Sequence, residues 1–323
     1  MARKRKRPTA AQRRKRYVAA GWVGVGLLAG LLLGAGLLIW QGEPQPGRTM
    51  SVHMAPAPEA ADPPPVRPHR PSGDELLEGG PRAAIIIDDL GNNWGRARTV
   101  SELPFPVAVA VLPNTPFAER TARRAHAHGK EVLAHMPMQP GDASIPLGPA
   151  FLRADMGRGE LLTTLRANLA AIPHVEGMNN HMGSALTARD EPMRWVMQAL
   201  RRRGLFFIDS RTTAASRGLD QARSAGIPAA QRDIFLDHHT DQAYVRRQFR
   251  KLLKEARQHG TAIGIGHPYP STLKVLREML PEAREQGVRI VPVREVVAVR
   301  GRTRPGASRL AYHGPDNEEG EQP

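Results

Sequence analysis

Short apolar runs recur along residues 82–300, and they constrain the fold more than any other feature of the sequence. Each run is rich in Val, Ile or Phe and nearly continuous, which is typical of strands buried on both faces of a sheet. The runs cover residues 83–88, 107–113, 131–137, 204–210, 233–237, 262–267 and 288–293. Segments with helical spacing and charge lie between them, over residues 116–129, 159–171, 190–203, 241–259 and 271–287. This alternation predicts an α/β fold with parallel strands, either a barrel or a wound sheet.

The N-terminal part of the chain predicts where the protein resides. Residues 21–40 contain no charged side chain, and a helix of that length would span roughly 30 Å, the thickness of the bilayer hydrocarbon. Nine Lys and Arg residues lie within residues 1–16, so the positive-inside rule keeps the N-terminus in the cytoplasm. We therefore predict a basic cytoplasmic segment over 1–16, a transmembrane signal anchor over 17–40 and a periplasmic globular domain on the cell inner membrane. A cleaved signal peptide is the alternative, but the apolar run is long for one.

The segments that flank the globular part differ from it in composition. Residues 41–81 contain ten prolines and favour extended polyproline geometry, so we expect a disordered linker that holds the next domain away from the membrane. Residues 301–323 are polar and rich in Gly and Pro, and we expect a disordered tail there. The remaining residues, 82–300, are enough to form one domain with a sizeable core.

Charge and cysteine content exclude several classes of protein. The chain has no cysteine, which excludes disulfide scaffolds, Cys-ligated metal sites and cysteine nucleophiles. The net charge of +15 suggests a nucleic-acid partner, but nine of the 46 basic residues lie within residues 1–16. The rest of the chain is only mildly basic, and aromatic residues, at 5%, are too few for RNA-binding platforms. We therefore expect no nucleic-acid partner.

Polar side chains of a few types interrupt or end the apolar runs. Parallel β/α folds bind their ligands at the carboxyl ends of the strands, so these side chains are candidates for a functional site. They are Asp88, Asp89, His135, Asp209, Asp237 and His267, together with His181 from the segment 177–184, which we interpret as a loop. All are metal-ligand or acid–base types, and all but the adjacent pair come from different strand–helix units.

These residue types fit the chemistry of a metal-assisted hydrolase. An Asp with two His and open coordination positions suits Zn²⁺ or another divalent ion that activates water. Of the adjacent carboxylates, one could bind the metal while the other serves as base. His267 could act as general acid or base, because imidazoles ordinarily titrate near neutral pH. Structural alternatives are helix capping by Asp88 or Asp89 and ordinary core burial of His135 and His181.

Asp209 and Asp237 have less specific surroundings than the other candidates. Asp209 could orient a histidine, bind substrate or cap the turn that follows it, and Asp237 could lie near the site. The sequence contains no Gly-x-Ser-x-Gly elbow, phosphate-binding loop or dinucleotide fingerprint. Motifs of serine esterases and nucleotide-dependent enzymes are therefore missing.

Six motifs, in this order along the chain, resemble the divergent polysaccharide deacetylase family. They are IIIDDLGNN (85–93), LAHMPMQP (133–140), NNHMGS (179–184), FFIDSRTT (206–213), FLDHHTD (235–241) and IGIGHP (263–268). Together they extend over essentially the whole of residues 82–300. The resemblance implies a distorted (β/α) barrel related to carbohydrate esterases that remove acetyl groups from chitin-like or peptidoglycan sugars.

The resemblance also implies roles for individual residues. Asp88 would be the catalytic base, Asp89 a ligand of a divalent metal, expected to be Zn²⁺, and His267 the catalytic acid. His135 and His181 would complete the ligand set from separate segments, since the chain has no His-x-x-x-His.

A wider set of residues is expected around this centre. Asp209 would belong to the catalytic residues, and the expected substrate-binding residues are Asn180, Ser184, Arg211 and Asp237. The implied activity is metal-dependent hydrolysis of N- or O-acetyl groups on peptidoglycan or another envelope polysaccharide, mainly at carbon–nitrogen bonds other than peptide bonds. Three alternatives stay open: a non-catalytic glycan-binding module, an envelope scaffold, and a metal hydrolase that acts on another bond.

Overall fold

The computed structural model of the protein describes residues 79–302, which form nine strands and eight helices. The strands are β1 (Arg82–Leu90), β2 (Ala108–Val111), β3 (Glu131–Met138), β4 (Val175–Met182), β5 (Phe206–Asp209), β6 (Ala229–Gln231), β7 (Ile234–Phe235), β8 (Thr261–Gly266) and β9 (Arg289–Ile290). The helices are α1 (Trp94–Ser101), α2 (Ala118–Ala127), α3 (Arg158–Ala170), α4 (Asp190–Arg203), α5 (Gly218–Ser224), α6 (Gln242–His259), α7 (Pro270–Glu285) and α8 (Val293–Arg302).

The strands form one parallel sheet that curls into a half-barrel. Its order is β6-β5-β4-β3-β2-β1-β8-β7, and β9 pairs with β1. The two outermost strands, β6 and β7, are consecutive in the chain, and the two residues that join them connect the two edges of the sheet. The N–H of Arg232 donates to the carbonyl of Asp209 on β5, and the N–H of Asp233 donates to that of Ile263 on β8. The predicted α/β fold with parallel strands is therefore confirmed.

Apolar side chains cover both faces of the curled sheet. Alternate strand residues form an inner cluster, which includes Ala84, Ile86, Ala110, Leu133, Ile208 and Ile265. The residues between them, such as Ile85 and Ile87 of β1, belong to a larger cluster that includes the buried sides of the helices. Burial on both faces explains why the apolar runs in the sequence are continuous rather than alternating.

Helix α8 packs against the inner cluster near the amino ends of the strands. Its Val293, Val296 and Val297 belong to that cluster. Glu131, the first residue of β3, is 3% exposed and accepts hydrogen bonds from the backbone N–H groups of Val293 (2.5 Å) and Arg294 (3.0 Å). A carboxylate at a helix N-terminus satisfies N–H groups that have no partner inside the helix and interacts favourably with the helix dipole.

Three sequence-based predictions of secondary structure differ from the structure. The segment 177–184, predicted as a loop, belongs for the most part to β4, which pairs with β3 and β5 in the sheet. Its Asn, His and Gly residues are uncommon in strands, but neighbours on both sides supply its ladder hydrogen bonds. Of residues 288–293, predicted as a strand, only Arg289–Ile290 form one (β9), and residue 293 begins helix α8. Residues 301–302, predicted as part of the tail, end helix α8.

The predicted basic segment, the anchor, nearly all of the predicted linker and most of the predicted tail lie outside the described residues. Within residues 79–302, no helix has the length and apolar character needed to cross a bilayer.

We predict that replacing Glu131 destabilises the fold where α8 packs near the amino ends of the strands. The Glu131→Ala substitution leaves buried N–H groups of α8 without an acceptor and should lower the free energy of unfolding by about 2–4 kcal/mol. Glu131→Gln, which keeps an acceptor oxygen, should cost less. The measurement is chemical denaturation followed by circular dichroism. Glu119→Ala, which removes only the exposed i,i+4 pair with Arg123, serves as the control, and an equal loss in both variants contradicts the prediction.

Candidate metal and acid–base site

A β-bulge at the end of β1 turns two consecutive carboxyl groups towards one cavity. The register between β1 and β2 shifts between Ile87 and Leu90, so that two residues of β1 oppose a single residue of β2. Asp89 has a φ of 57°, in the left-handed region that non-glycine residues seldom adopt. Neighbouring side chains of a regular strand point to opposite faces, and the bulge removes that restriction. Asp88 and Asp89 consequently line the same cavity.

Three side chains from β1, β3 and β4 converge on one point. Oδ1 of Asp89 lies 3.2 Å from Nε2 of His135 and 3.0 Å from Nδ1 of His181. The two ring nitrogens are 3.1 Å apart. His135 is buried, whereas the side chains of Asp89 and His181 are 36% and 21% exposed. The structure therefore brings together the three residues that the sequence analysis selects as metal ligands.

Asn179 orients two of the groups behind this cluster. It is buried, its Oδ1 lies 2.9 Å from Nδ1 of His135, and its Nδ2 donates to Oδ1 of Asp88 at 2.8 Å. Because an amide oxygen only accepts hydrogen bonds, Nδ1 of His135 carries a proton and Nε2 is the atom left to coordinate on the side of Asp89. Metal-binding histidines commonly donate their second N–H to such an acceptor.

The donor set fits a divalent transition-metal ion. Oδ1 of Asp89 is buried, and no described residue directs a hydrogen bond at it, although both imidazoles lie close. Ligand atoms about 2.1 Å from a tetrahedral ion lie roughly 3.4 Å apart, close to the separations between these three atoms. One carboxylate and two imidazoles also leave a coordination position open, as in catalytic zinc sites.

Burial and neighbouring charges separate the acidities of the two carboxyl groups. Burial raises the pKa of Asp88 above its usual range, although His135, His267 and the hydrogen bond from Asn179 act in the opposite direction. Burial also acts to raise the pKa of Asp89, but the imidazoles of His135 and His181 outweigh it and hold that pKa well below its usual range. Asp88 is thus the carboxylate with the greater affinity for a proton.

His267 lies at the end of β8, with its imidazole fixed by Asp237. Nδ1 of His267 lies 2.9 Å from Oδ1 of Asp237, and Oδ2 of Asp237 accepts from the backbone N–H of His267 (2.6 Å) and the hydroxyl of Thr272 (2.8 Å). Nε2 of His267 lies 3.6 Å from Oδ2 of Asp89. Burial acts to lower the pKa of His267, but Asp237 and the carboxylates of Asp88 and Asp89 raise it to about 9.

These groups line a cavity of about 640 Å³ that begins at the carboxyl ends of the strands and continues along α6. Asp88, Asp89, His135, His181 and His267 all contribute to its wall. A second part of the wall comes from α6, and its residues are Tyr244, Gln248, Lys251, Lys254 and Glu255. The cavity therefore extends from the reactive groups to a helix that contributes none of them.

The other predicted site residues occupy different surroundings. Asn180 and Arg211 line the cavity, and the amide of Asn180 joins β4 to β5 by accepting from the N–H of Ser210 (2.8 Å). Ser184 lies outside the cavity wall and accepts from the N–H of Gly141 (2.7 Å). Asp209 also lies outside the cavity wall. It is fully buried, and its carboxylate accepts hydrogen bonds from the loop that follows β5.

Asp209 and Asp237 are both buried, and their carboxylates are engaged by neighbouring groups of the protein. Oδ1 of Asp209 accepts from the N–H of Arg211 (2.9 Å), and Oδ2 accepts from the hydroxyl of Ser216 (2.7 Å). Asp237, expected to bind substrate, is buried with both oxygens engaged by His267 and Thr272. Its contacts position the imidazole of His267.

Sequence reasoning missed Asn179 and the contribution of α6. Asn179 lies two residues before His181, and residues two apart share one face of a strand. Treating the segment as a strand would therefore have selected Asn179 as well as Asn180. The α6 residues carry no comparable signal, because the charged face of a basic amphipathic helix ordinarily faces solvent.

The comparisons with known proteins agree with this architecture. The sequence model of the family described as "Divergent polysaccharide deacetylase" matches residues 85–297. YibQ of Escherichia coli (strain K12), an uncharacterized protein, is 39% identical over 199 residues, which cover 62% of each chain. An uncharacterized protein of Haemophilus influenzae is 37% identical over 196 residues, which cover 61% of this chain and 70% of that protein.

Among solved structures, that of an uncharacterized protein from Agrobacterium tumefaciens C58 is similar, with a TM-score of 0.66 and 26% identity. The match covers 70% of this chain and 92% of that one. The matched part of this chain spans less than two thirds of the length of the Escherichia coli relative. The family model nevertheless covers most of the described fold and contains all six sequence motifs. The chain belongs to the divergent polysaccharide deacetylase family.

Proposed function

We propose that the protein is a metal-dependent hydrolase that removes acetyl groups, bound through nitrogen or oxygen, from an envelope glycan such as peptidoglycan. The observation that carries the proposal is the convergence of Asp89, His135 and His181 in a cavity that also contains Asp88 and His267. Membership of the deacetylase family supports a glycan substrate. The proposal includes a location in the inner membrane, with residues 17–40 as anchor and the domain in the periplasm.

Asp89, His135 and His181 would hold the ion, which we propose to be Zn²⁺. When bound, such an ion supplies Lewis-acid chemistry, lowering the pKa of a water molecule and offsetting negative charge on a carbonyl oxygen. Asn179 supports this role by keeping the proton of His135 on Nδ1, away from the ligand atoms.

Asp88 would act as the general base. Its carboxylate is 4% exposed, lines the cavity and is held by Asn179. Because burial raises its pKa, Asp88 attracts a proton more strongly than a solvated carboxylate does. The proton of the attacking water would pass to Asp88 while the water oxygen bonds to the acetyl carbon.

His267 would act as the general acid. Nδ1 of its ring is bound to Asp237, so Nε2 is the nitrogen left to face the reacting groups. A pKa of about 9 keeps His267 protonated at neutral pH, and Nε2 can give its proton to the leaving nitrogen as the carbon–nitrogen bond breaks. Acetate and a free amine result, and for an O-acetyl group the leaving atom is oxygen.

We predict that the purified full-length protein binds one divalent ion per chain tightly. Asp89→Ala and His181→Ala should each abolish binding, because two ligands are too few to retain an ion against a chelator. The measurement is metal content by mass spectrometry after dialysis, with circular dichroism to confirm the fold. His238→Ala, in the same cavity wall but outside the cluster, should keep the ion. Folded protein that stays metal-free after reconstitution would contradict the proposal.

We predict that Asp88→Asn removes turnover while leaving metal binding intact. An amide cannot accept the proton of water, so kcat should fall by about 10²- to 10⁴-fold. The assay is acetate release from acetylated glycan oligomers, with metal content measured in parallel. Asp142→Asn, at an exposed position outside the cavity wall, is the matched control. Equal acetate release by wild type and Asp88→Asn would rule out the assigned base.

A further inference from the structure

The two flanks of helix α6 differ in how their positive charges are compensated. Arg246 forms an ion pair with Glu278 of α7, and Nε of Arg250 lies 2.9 Å from Oε1 of Glu282. Those arginines therefore join α6 to α7. On the other flank, among the residues that the structure describes, no carboxylate pairs with Lys251 or Lys254.

The unpaired lysines belong to the wall of the cavity that contains the reactive groups. Two acidic residues, Asp233 and Glu255, lie in the same part of the wall, and Asp233 is paired with an arginine. Oδ2 of Asp233 lies 2.5 Å from Nη2 of Arg300, and Oε2 of Glu255 lies 3.4 Å from Nε2 of His259. Because Lys251 and Lys254 outnumber the one carboxylate without an arginine partner, Glu255, the net charge on this side of the cavity is positive.

Polar and aromatic groups accompany the two lysines along the same helix. Tyr244 and Gln248 line the cavity about two turns and one turn before Lys251, respectively. Within residues 79–302 the side chain of Gln248 makes no hydrogen bond. The guanidinium of Arg247 lies 5.6 Å from the centre of the Tyr244 ring. A carboxamide with free donors and acceptors suits sugar hydroxyls, and an aromatic ring offers an apolar face for a sugar.

We infer that the glycan substrate is anionic and that Lys251 and Lys254 bind its acidic groups while an acetylated sugar lies at Asp88 and His267. The α6 stripe of Tyr244, Gln248 and the two lysines would bind units of the chain next to the sugar that reacts. This inference rests on the proposed function, because it names the substrate class of the same cavity. The chemistry requires carboxylate or other anionic substituents, and a neutral chitin-like chain lacks them.

The test measures binding without turnover, in the full-length Asp88→Asn protein. The probes are an acetylated glycan oligomer that carries carboxylates and the same oligomer after reduction of its carboxylates to alcohols. The reduced oligomer after sulfation tests whether another anion can replace the carboxylates. We expect the carboxylate-bearing oligomer to bind about tenfold more tightly than the reduced one, with the difference disappearing at high salt.

The variant for the test is the double charge reversal Lys251→Glu/Lys254→Glu. It should weaken binding of the acidic oligomer at least tenfold and leave the reduced oligomer unaffected. Arg257→Glu/Lys274→Glu changes the net charge equally at exposed positions outside the cavity wall and should leave both affinities unchanged. In the protein with Asp88 intact, the double reversal should raise KM by a similar factor and change kcat less than twofold.

The outcomes separate this inference from the proposed function. Lysine-dependent binding of the acidic oligomer without acetate release would support the substrate class and overturn hydrolysis. Equal hydrolysis of the acidic and reduced oligomers, unchanged by the double reversal, would overturn the anionic substrate and leave hydrolysis standing. Binding to anionic and to zwitterionic vesicles is measured with the same two variants. A Lys251→Glu/Lys254→Glu reversal that alters only the preference for anionic vesicles would also overturn the inference, since the lysines would then face a membrane.

Discussion

The left-handed backbone of Asp89 is the constraint on which the site depends. A regular strand would direct Asp88 and Asp89 to opposite faces of the sheet, so that only one could reach the cavity. A positive φ at a non-glycine residue costs of order 1–3 kcal/mol, and it persists only where the surroundings determine it. Here β1 is paired on both sides, with β2 and with β8, and these ladders hold the bulge in place.

The bulge has a chemical consequence because the two carboxyl groups then meet different neighbours. Asp89 lies against two imidazoles, which favour its ionised form, whereas Asp88 is buried against an amide. Asn179 connects the two halves of the site, since one amide holds the carboxylate of Asp88 and the ring of His135 at once. The acid–base group and the ligand cluster are therefore positioned by the same buried side chain.

The sequence predicts a strand of this arrangement only where that strand is a continuous apolar run. Strands β1, β3 and β8 are recognisable because burial on both faces makes them continuous hydrophobic runs. Asp88 and His135 stand out within two of these runs, and His267 directly follows the third. Strand β4 was missed because its second half, Asn179 to Met182, contributes to the site and is mostly polar instead of apolar. The bulge leaves no trace in the sequence, because Asp is a residue that tolerates the left-handed region without requiring it.

The connection between β6 and β7 explains why α6 can take part in a cavity formed by other elements. In a regular β/α barrel each strand is followed by a helix that covers the outer face of the sheet, but β6 and β7 are joined by only two residues. No helix therefore lies between the two edge strands, β6 and β7, and α6 is the next helix along the chain. Its paired arginines fasten it to α7, which leaves the opposite flank to form a wall of the cavity. The ion pairs that hold α6 against α7 thus also determine which charged side chains of α6 line the cavity.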